Sequence, residues 1–343
     1  MVRTERLTLR LMTHDEVDLF VAYQSEPETL RWLGSQIAPD PNEIHAQVES
    51  AASEPWPGDG IWRRLAIDLD GEMIGNVVSQ VRPGGGIAEV GYALRPEFRG
   101  HGYAAEATSA VVDTLIAEHG IHRVEASLSP ENVASMRVLE SIGMTFEVLA
   151  RDAYNLDGVW EDDLRYAMTV ADRRAWVERD RRPPARVDLV EITADDAAEW
   201  SKLSTHHSQQ RLVATMASSF RDALFPELVD GVATVPWMRG ISADGERAGF
   251  LMASSTYGLD DGWYLWRLLI DRMHQRRGIG DRALRQFSER LRTHGVPRLY
   301  TSCVEGIAGT PRPFYDRLGF VATGRIVDDE TELVLELVQE ASE

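Results

Sequence analysis

The chain alternates between two hydrophobic rhythms, one of period two and one near 3.6, and the switches between them mark its predicted elements. In the first half, residues 7–11, 62–69, 73–80 and 88–94 form branched and aromatic runs that read as strands, and 104–119 carries apolar residues at helical spacing. A strand over 123–128 follows, then a helix over 132–142 opened by Pro130 and Asn132, and strands near 146–151 and 164–169. In the second half, residues 241–255 read as a hairpin about an Asp-Gly-Glu turn, and 263–270, 299–303 and 320–327 as later strands. Each half runs from an initial strand through one or two helices and antiparallel strands. It ends with strand, glycine turn, helix, strand, helix and closing strands.

The halves also match residue by residue. FRGHGYAAEAT at 98–108 and MHQRRGIGDRAL at 273–284 both stand between a strand-like run and an amphipathic helix. Arg99, Gly102 and Ala104 fall on Gln275, Gly278 and Gly280 at an offset of 176 residues, which also carries Gly143-Met144 onto Gly319-Phe320. A length of 343 residues, more than one core usually supports, is explained by two copies of one fold in tandem. The expected domains are 1–172 and 187–343, joined by a linker at 173–186 where charges, Pro183 and Pro184 break the periodic pattern.

Composition narrows the function. Apolar content of 43% with 27% charged residues describes a soluble globular protein. No run of about 18 apolar residues occurs, and MVRTERLTLR has no signal-peptide core, so no membrane span and a cytoplasmic address are expected. Cys303 is the only cysteine, which excludes an intramolecular disulfide, a cysteine zinc cluster and a thiol redox pair, and it is expected as a buried core thiol. The net charge of -19 disfavours nucleic acid and would attract cationic small molecules or basic peptides. His206 and His207 are adjacent, not four apart, so they do not present two ligands on one helix face, and no metal is expected.

The glycine junctions carry the chemistry. A helix start leaves backbone N–H groups without intrahelical partners and bears about half a positive charge, so it suits an anion that can approach closely. Gly102, Gly278 and Gly280 supply clearance. Neither junction is a P-loop, since no Gly-Lys-Ser/Thr follows, and neither opens the first strand-turn-helix of its domain as a dinucleotide fingerprint would. The pattern Arg or Gln, two residues, Gly, one residue, Gly or Ala, placed after the fourth strand of a mixed sheet, resembles the acyl-coenzyme-A pyrophosphate loop of the GNAT acetyltransferases. The resemblance covers nearly the whole chain, twice.

In the first half, TERLTLR, EVGYALRPEFRGHGYAAEA and SPENVASMRVLESIGM resemble the branch of ribosomal-protein N-terminal acetyltransferases. In the second, WYLWRLLIDRMHQRRGIGDRAL, FYDRLGF and TGRIVDDETELVLEL resemble the spermine/spermidine type, although GIAGTPRP departs from its asparagine-bearing loop. The resemblance implies an α/β (α+β) architecture of two tandem GNAT folds, each a mixed, mostly antiparallel sheet flanked by helices. It implies acetyl-coenzyme A as cosubstrate, its pyrophosphate on Arg99, Gly100, His101, Gly102, Tyr103 and Ala104 in one half. The other half would use Gln275, Arg276, Arg277, Gly278, Ile279 and Gly280. The pantetheine would run beside the strands ending at Leu94 and Ile270.

Acetyl transfer to an amine needs the amine neutral, and deprotonating a Lys-like amine at pH 7 costs roughly 4 kcal/mol. The resemblance assigns Glu89 as base and Tyr315 as the acid that protonates the departing thiolate in the second half. In the first half Leu139 holds Tyr315's register, and Asn132 and Ser135 of ENVAS would orient the pantetheine and protonate sulfur, with helix capping the competing role for Asn132. In the second half Leu265 replaces Glu89, and Ala308 and Pro311 replace Asn132 and Ser135. Its base is open among Glu305, Asp260, Asp261 or none. Trp32, Trp56 and Trp62 either wall an acceptor pocket or pack. The acidic turn at Asp157, Glu161, Asp162 and Asp163 either grips a cationic acceptor or is solvated. The expected function is N-acetyl transfer to a small-molecule amine or a peptide N-terminus by direct attack in a ternary complex. The alternative is an acyl-coenzyme-A-binding sensor or scaffold. Both a homodimer and a monomer whose two halves mimic a dimer fit the tandem arrangement.

Overall fold

The computed structural model describes residues 1–33, 37–53, 56–58, 60–156, 158–226, 228–229, 231–255 and 262–337. Asp157, Asp260 and Asp261 lie outside the described residues. The chain divides into two compact units, Met1–Glu178 and Arg179–Glu343.

The first unit contains β1 (Val2–Arg3), β2 (Thr8–Arg10), α1 (Val17–Gln24), α2 (Pro27–Trp32), α3 (Pro41–Ser53), β3 (Arg63–Leu69), β4 (Glu72–Val81) and β5 (Ile87–Leu94). These are followed by α4 (Tyr103–His119), β6 (Arg123–Leu128), α5 (Val133–Ser141), β7 (Thr145–Leu156), β8 (Val159–Thr169) and α6 (Val170–Glu178). The strands form one sheet in the order β1-β2-β3-β4-β5-β6-β8-β7, antiparallel except for β5 and β6. Alternation along the strands sends residues to opposite faces. Leu65, Val77 and Val90 join Val111, Val112 and Leu115 of α4 in one core, while Ala66 and Met73 meet Phe20, Tyr23 and Ile44 of α1 and α3 in another.

The second unit contains β9 (Val187–Val190), α7 (Ala197–Trp200), α8 (Met216–Leu224), β10 (Leu228–Val229), β11 (Val232–Ala233), β12 (Pro236–Ala243), β13 (Glu246–Ser254) and β14 (Gly262–Ile270). Then come α9 (Ile279–Thr293), β15 (Arg298–Cys303), α10 (Arg312–Arg317), β16 (Val321–Val327) and β17 (Glu330–Glu336). Its main sheet runs β16-β17-β15-β14-β13-β12-β9, and only β14 and β15 are parallel. The Asp-Gly turn expected within 241–255 is made by Asp244 and Gly245, both at positive φ, the backbone a two-residue hairpin requires. Each unit is thus an α/β fold with a mixed, mostly antiparallel sheet flanked by helices.

The segment 173–186, expected as a linker, begins inside a helix. Arg173 is buried in α6; its Nε and Nη2 donate to Asp113 at 2.7 Å each and its Nη1 to the Ile142 carbonyl at 2.7 Å. Trp176 lies so close to Gly143 that a Cβ there would stand 2.3 Å from its Cγ.

Candidate active sites

In each unit the one parallel pair of strands comes apart. β5 and β6 pair only over Ile87–Glu89 and Arg123–Glu125, leaving residues 90–94 of β5 without a partner on β6. β14 and β15 pair only over Gly262–Tyr264 and Arg298–Tyr300; beyond that the Leu265 carbonyl accepts from Thr301 Oγ1 at 3.0 Å, and 266–270 have no ladder pairing with β15. In β14 the register against β13 skips Trp266, a bulge that bends the strand at the point of parting. The glycine junction lies beyond the parted end in both units.

The two junctions have one backbone shape. Gly102 and Gly278, at φ 81° and 75°, cap α4 and α9 in the left-handed region. Gly100 has φ 81°, and Arg276, its register partner, adopts φ 64° despite its side chain. Among the described residues, the amides of Gly100 to Ala105 and of Gln275 to Asp281 donate to no protein acceptor. A Cβ on Gly278 would meet nothing within 4 Å, and one on Gly102 would come no closer than 3.6 Å, to Arg6. The arrangement fits a diphosphate: open space before a row of unpartnered donors at a helix start. Gly280 needs no special backbone; its Cβ would make ordinary contacts at 3.5 Å with Ile270 and 3.7 Å with Phe314.

Arg99 and Gln275 perform the same local task. Arg99 Nε donates to the Leu94 carbonyl at 3.2 Å, and Gln275 Nε2 donates to the Ile270 carbonyl at 3.0 Å. Each ties the junction to the end of its strand. The rest of the Arg99 guanidinium binds Glu28 and Thr29, at 2.8 and 2.9 Å. Arg277 was expected to reach phosphate, but its side chain is buried and donates to the Arg182 carbonyl at 2.9 Å while Nη1 meets His274 at 2.9 Å. Only Arg276 of that pair, with Ile279, lines the cleft. In the first unit His101 stacks on Tyr103, and Arg6 lies over Tyr103 at 4.5 Å. Arg6 also holds Glu106, offsetting a carboxylate that would otherwise repel an anion at this helix start. Arg6 was not singled out from sequence, although it lies within TERLTLR.

The first unit has a cavity of about 680 Å³ on the sheet face covered by α1 and α3. Asn76, Val78 and Gln80 of β4 and Gly91 and Ala93 of β5 line it, with Trp62 at the rim. Trp56 instead packs on the core, edge-on to His119, and Trp32 lies under Arg31. Glu89 is paired with Gln80 and points to the same face of β5 as Gly91 and Ala93, just beyond the residues that line the cavity. Burial pushes its carboxyl above the usual range, with Glu125 and Asp163 adding and Arg82 and Arg165 opposing. Asn132 Oδ1 accepts from the Ser135 amide at 3.0 Å, so Asn132 caps α5. The Ser135 hydroxyl lies 2.7 Å from the Tyr92 hydroxyl, which also donates to the Ser135 carbonyl at 3.0 Å. Sequence reasoning missed Tyr92: its register partner is Leu268, so comparison of the copies gave no signal. Its phenol is held protonated by burial.

In the second unit a cavity of about 800 Å³ joins the junction to the parted strands. Gln275, Arg276, Gly278 and Gly280 lie along it with Ile270, Thr301 and Tyr315. The expected cofactor loop and Tyr315 are therefore brought together. Burial pushes the Tyr315 phenol up to about 12, so it retains its proton at neutral pH. Glu305 is ion-paired with Arg312 and lies outside the cavity lining. Glu330, which sequence reasoning did not select, lines the cavity and accepts from Ser302. Cys303 is buried, its thiol pushed up to about 11 by burial, and is no poised nucleophile.

Comparison with known proteins assigns the class. Residues 6–145 match the family described as acetyltransferase (GNAT) domain, and residues 199–320 match the acetyltransferase (GNAT) family. The chain belongs to the GNAT acetyltransferases and carries two such domains, which makes it an acyltransferase. It is 29% identical over 153 residues to the uncharacterized N-acetyltransferase p20 of Bacillus licheniformis, a match spanning 43% of this chain and 84% of that one. It is 31% identical over 133 residues to the [ribosomal protein uS5]-alanine N-acetyltransferase of Escherichia coli, covering 38% of this chain and 63% of the relative. The solved structure of Mycobacterium smegmatis RimJ in complex with CoA-disulfide is similar at 24% identity with a TM-score of 0.43, over 48% of this chain and 82% of that one.

Proposed function

We propose that the protein is an N-acetyltransferase that moves an acetyl group from acetyl-coenzyme A to a primary amine by direct attack within a ternary complex. The observation that carries this reading is the pairing, in both units, of parted parallel strands with a junction of unpartnered amides behind a left-handed glycine. The amides of Gly100 to Ala104 and of Arg276 to Gly280 would hold the diphosphate, and the free strand edges before Leu94 and Ile270 the pantetheine arm. When bound, acetyl-coenzyme A supplies an activated acyl thioester.

Glu89, its proton affinity raised by burial, accepts the amine's proton in the first unit. Ser135 stands as donor to the departing sulfur, its hydroxyl positioned 2.7 Å from that of Tyr92. In the second unit Tyr315 is the donor, and Glu330, which lines the same cavity, is the carboxylate assigned as base. The buried, high-pKa Cys303 supports direct attack over an acyl-enzyme. The uS5 relative favours a peptide or protein N-terminus as acceptor of the first unit. For the second, the spermine/spermidine-type acceptor is a proposal set against a cavity whose carboxylates are matched by arginines.

Calorimetric titration with acetyl-coenzyme A, coupled to thiol release across a panel of amines and peptides, tests the reading. Uptake of the donor with acceptor-dependent thiol release is expected. Donor uptake with no acceptor-dependent release would mark a sensor or scaffold instead.

A further inference from the structure

Among the described residues, the charged side chains lining the cavity of the first unit are arginines, Arg63 and Arg64, and no aspartate or glutamate lines it. Arg64 decides what that means. Its guanidinium lies 4.3 Å from the centre of the Phe20 ring, and Nη1 donates to Gln47 Oε1 at 2.8 Å. Its Nε is shielded from solvent and has no hydrogen-bond partner. By contrast, Arg10, Arg95, Arg99 and Arg123 of the same unit each pair with a carboxylate. Burial lowers the pKa of Arg64, yet arginine does not give up its proton, so an anion entering the cavity would stabilise it.

The sheet fixes where that anion would lie. Arg64 is opposite Val78, and Val78 opposite Gly91; one row along, Gln80 is opposite Glu89. Directly paired residues share a face, so Arg64 and Glu89 look to the same side from strands two apart. Strand and residue spacings put their Cα atoms about 12 Å apart. The wall between them is neutral. A guanidinium fork binds a carboxylate through two hydrogen bonds, which a neutral amide isostere does not reproduce.

Resting on the transferase reading above, we propose that the acceptor of the first unit is a primary amine that also carries a carboxylate, gripped by Arg64 while the amine faces Glu89. The carboxylate comes either from a free amino acid or from an acidic side chain near a peptide N-terminus.

The test is calorimetry on the full chain saturated with coenzyme A, which needs no turnover. One pair of probes is N-acetyl-alanine against N-acetyl-alaninamide; the other is acetyl-Ala-Asp-amide against acetyl-Ala-Asn-amide. In at least one pair the carboxylate member is expected to bind about tenfold tighter, the size of a charged hydrogen-bonded contact, and the pair that responds identifies the source. R64Q is expected to abolish the preference and R64K to retain part of it; thermal melts establish that each variant is folded, and R64K stands alone if R64Q is not. Equal or undetectable binding of both members in both pairs, or a preference that survives loss of the guanidinium, overturns the proposal. Acetyl-coenzyme A titration and thiol release on the same samples judge the transferase reading separately: donor uptake and turnover without carboxylate preference would sink only the inference about Arg64.

Discussion

Replacing Glu89 with Gln is expected to lower kcat/KM of the first unit by about 10²- to 10⁴-fold, the usual contribution of a positioned base. The pH profile follows from burial. Because the Glu89 pKa is raised, its basic form accumulates only above the ordinary carboxylate range, and activity should rise with pH through that higher value. The linkage has the same origin. The folded state holds the Glu89 proton more tightly than the unfolded state, so this group's contribution to stability falls as pH rises from the ordinary to the raised value. E89Q should therefore melt no lower than wild type at neutral pH while losing activity. For Tyr315, pushed up to about 12, a fall in second-unit turnover is expected only as pH nears that value. Gly143 and Gly319 give a second residue-scale contrast, since both have positive φ, at 99° and 91°. G143A drives a Cβ into Trp176 and should cost about 2–4 kcal/mol by chemical denaturation; in G319A the nearest contact is an ordinary 3.5 Å to Leu335, and only the roughly 1 kcal/mol backbone cost is expected.

At the level of elements, the starts of α4 and α9 hold the cofactor prediction. G102V and G278V each place a branched side chain at a left-handed position and crowd the amide row. Each is expected to remove one of two acetyl-coenzyme A binding events in calorimetry, with the other retained. The junctions were readable from sequence because glycine at a strict offset marks a backbone need. The roles of their flanking side chains were not. Arg277 reads as a phosphate ligand in a linear string, yet the chain at 180–182 folds against it and takes its hydrogen bonds. Arg99 and Gln275 differ in charge, but both clamp the preceding strand, a function visible only once their carbonyl partners are located.

On the scale of the molecule, the division at Glu178 rather than at the proposed end of the first domain has a measurable consequence. A fragment ending at Glu178 should fold cooperatively. One ending at Asp172 loses the buried Arg173 contacts and Trp176, and its melting midpoint should fall by more than 10 °C, on the order of several kcal/mol. Charge and proline at 180–184 mark the interruption, but a short helix of low amphipathic contrast just before them gave no periodic signal.

The sequence by itself determined the duplication, the later succession of strand, glycine turn, helix, strand and helix in each half, and the two glycine junctions. These depend on local periodicity, on backbone angles only glycine readily takes, and on spacing that survives between copies. Tertiary structure alone decided that β5 and β6 part after three paired residues, that Tyr92 meets Ser135, that Glu330 enters the second cavity, and that Arg64 lines the first, where no aspartate or glutamate does among the described residues. Such facts depend on which strands become neighbours and which side chains lose water together, and those contacts join residues too far apart in the chain for local patterning to encode.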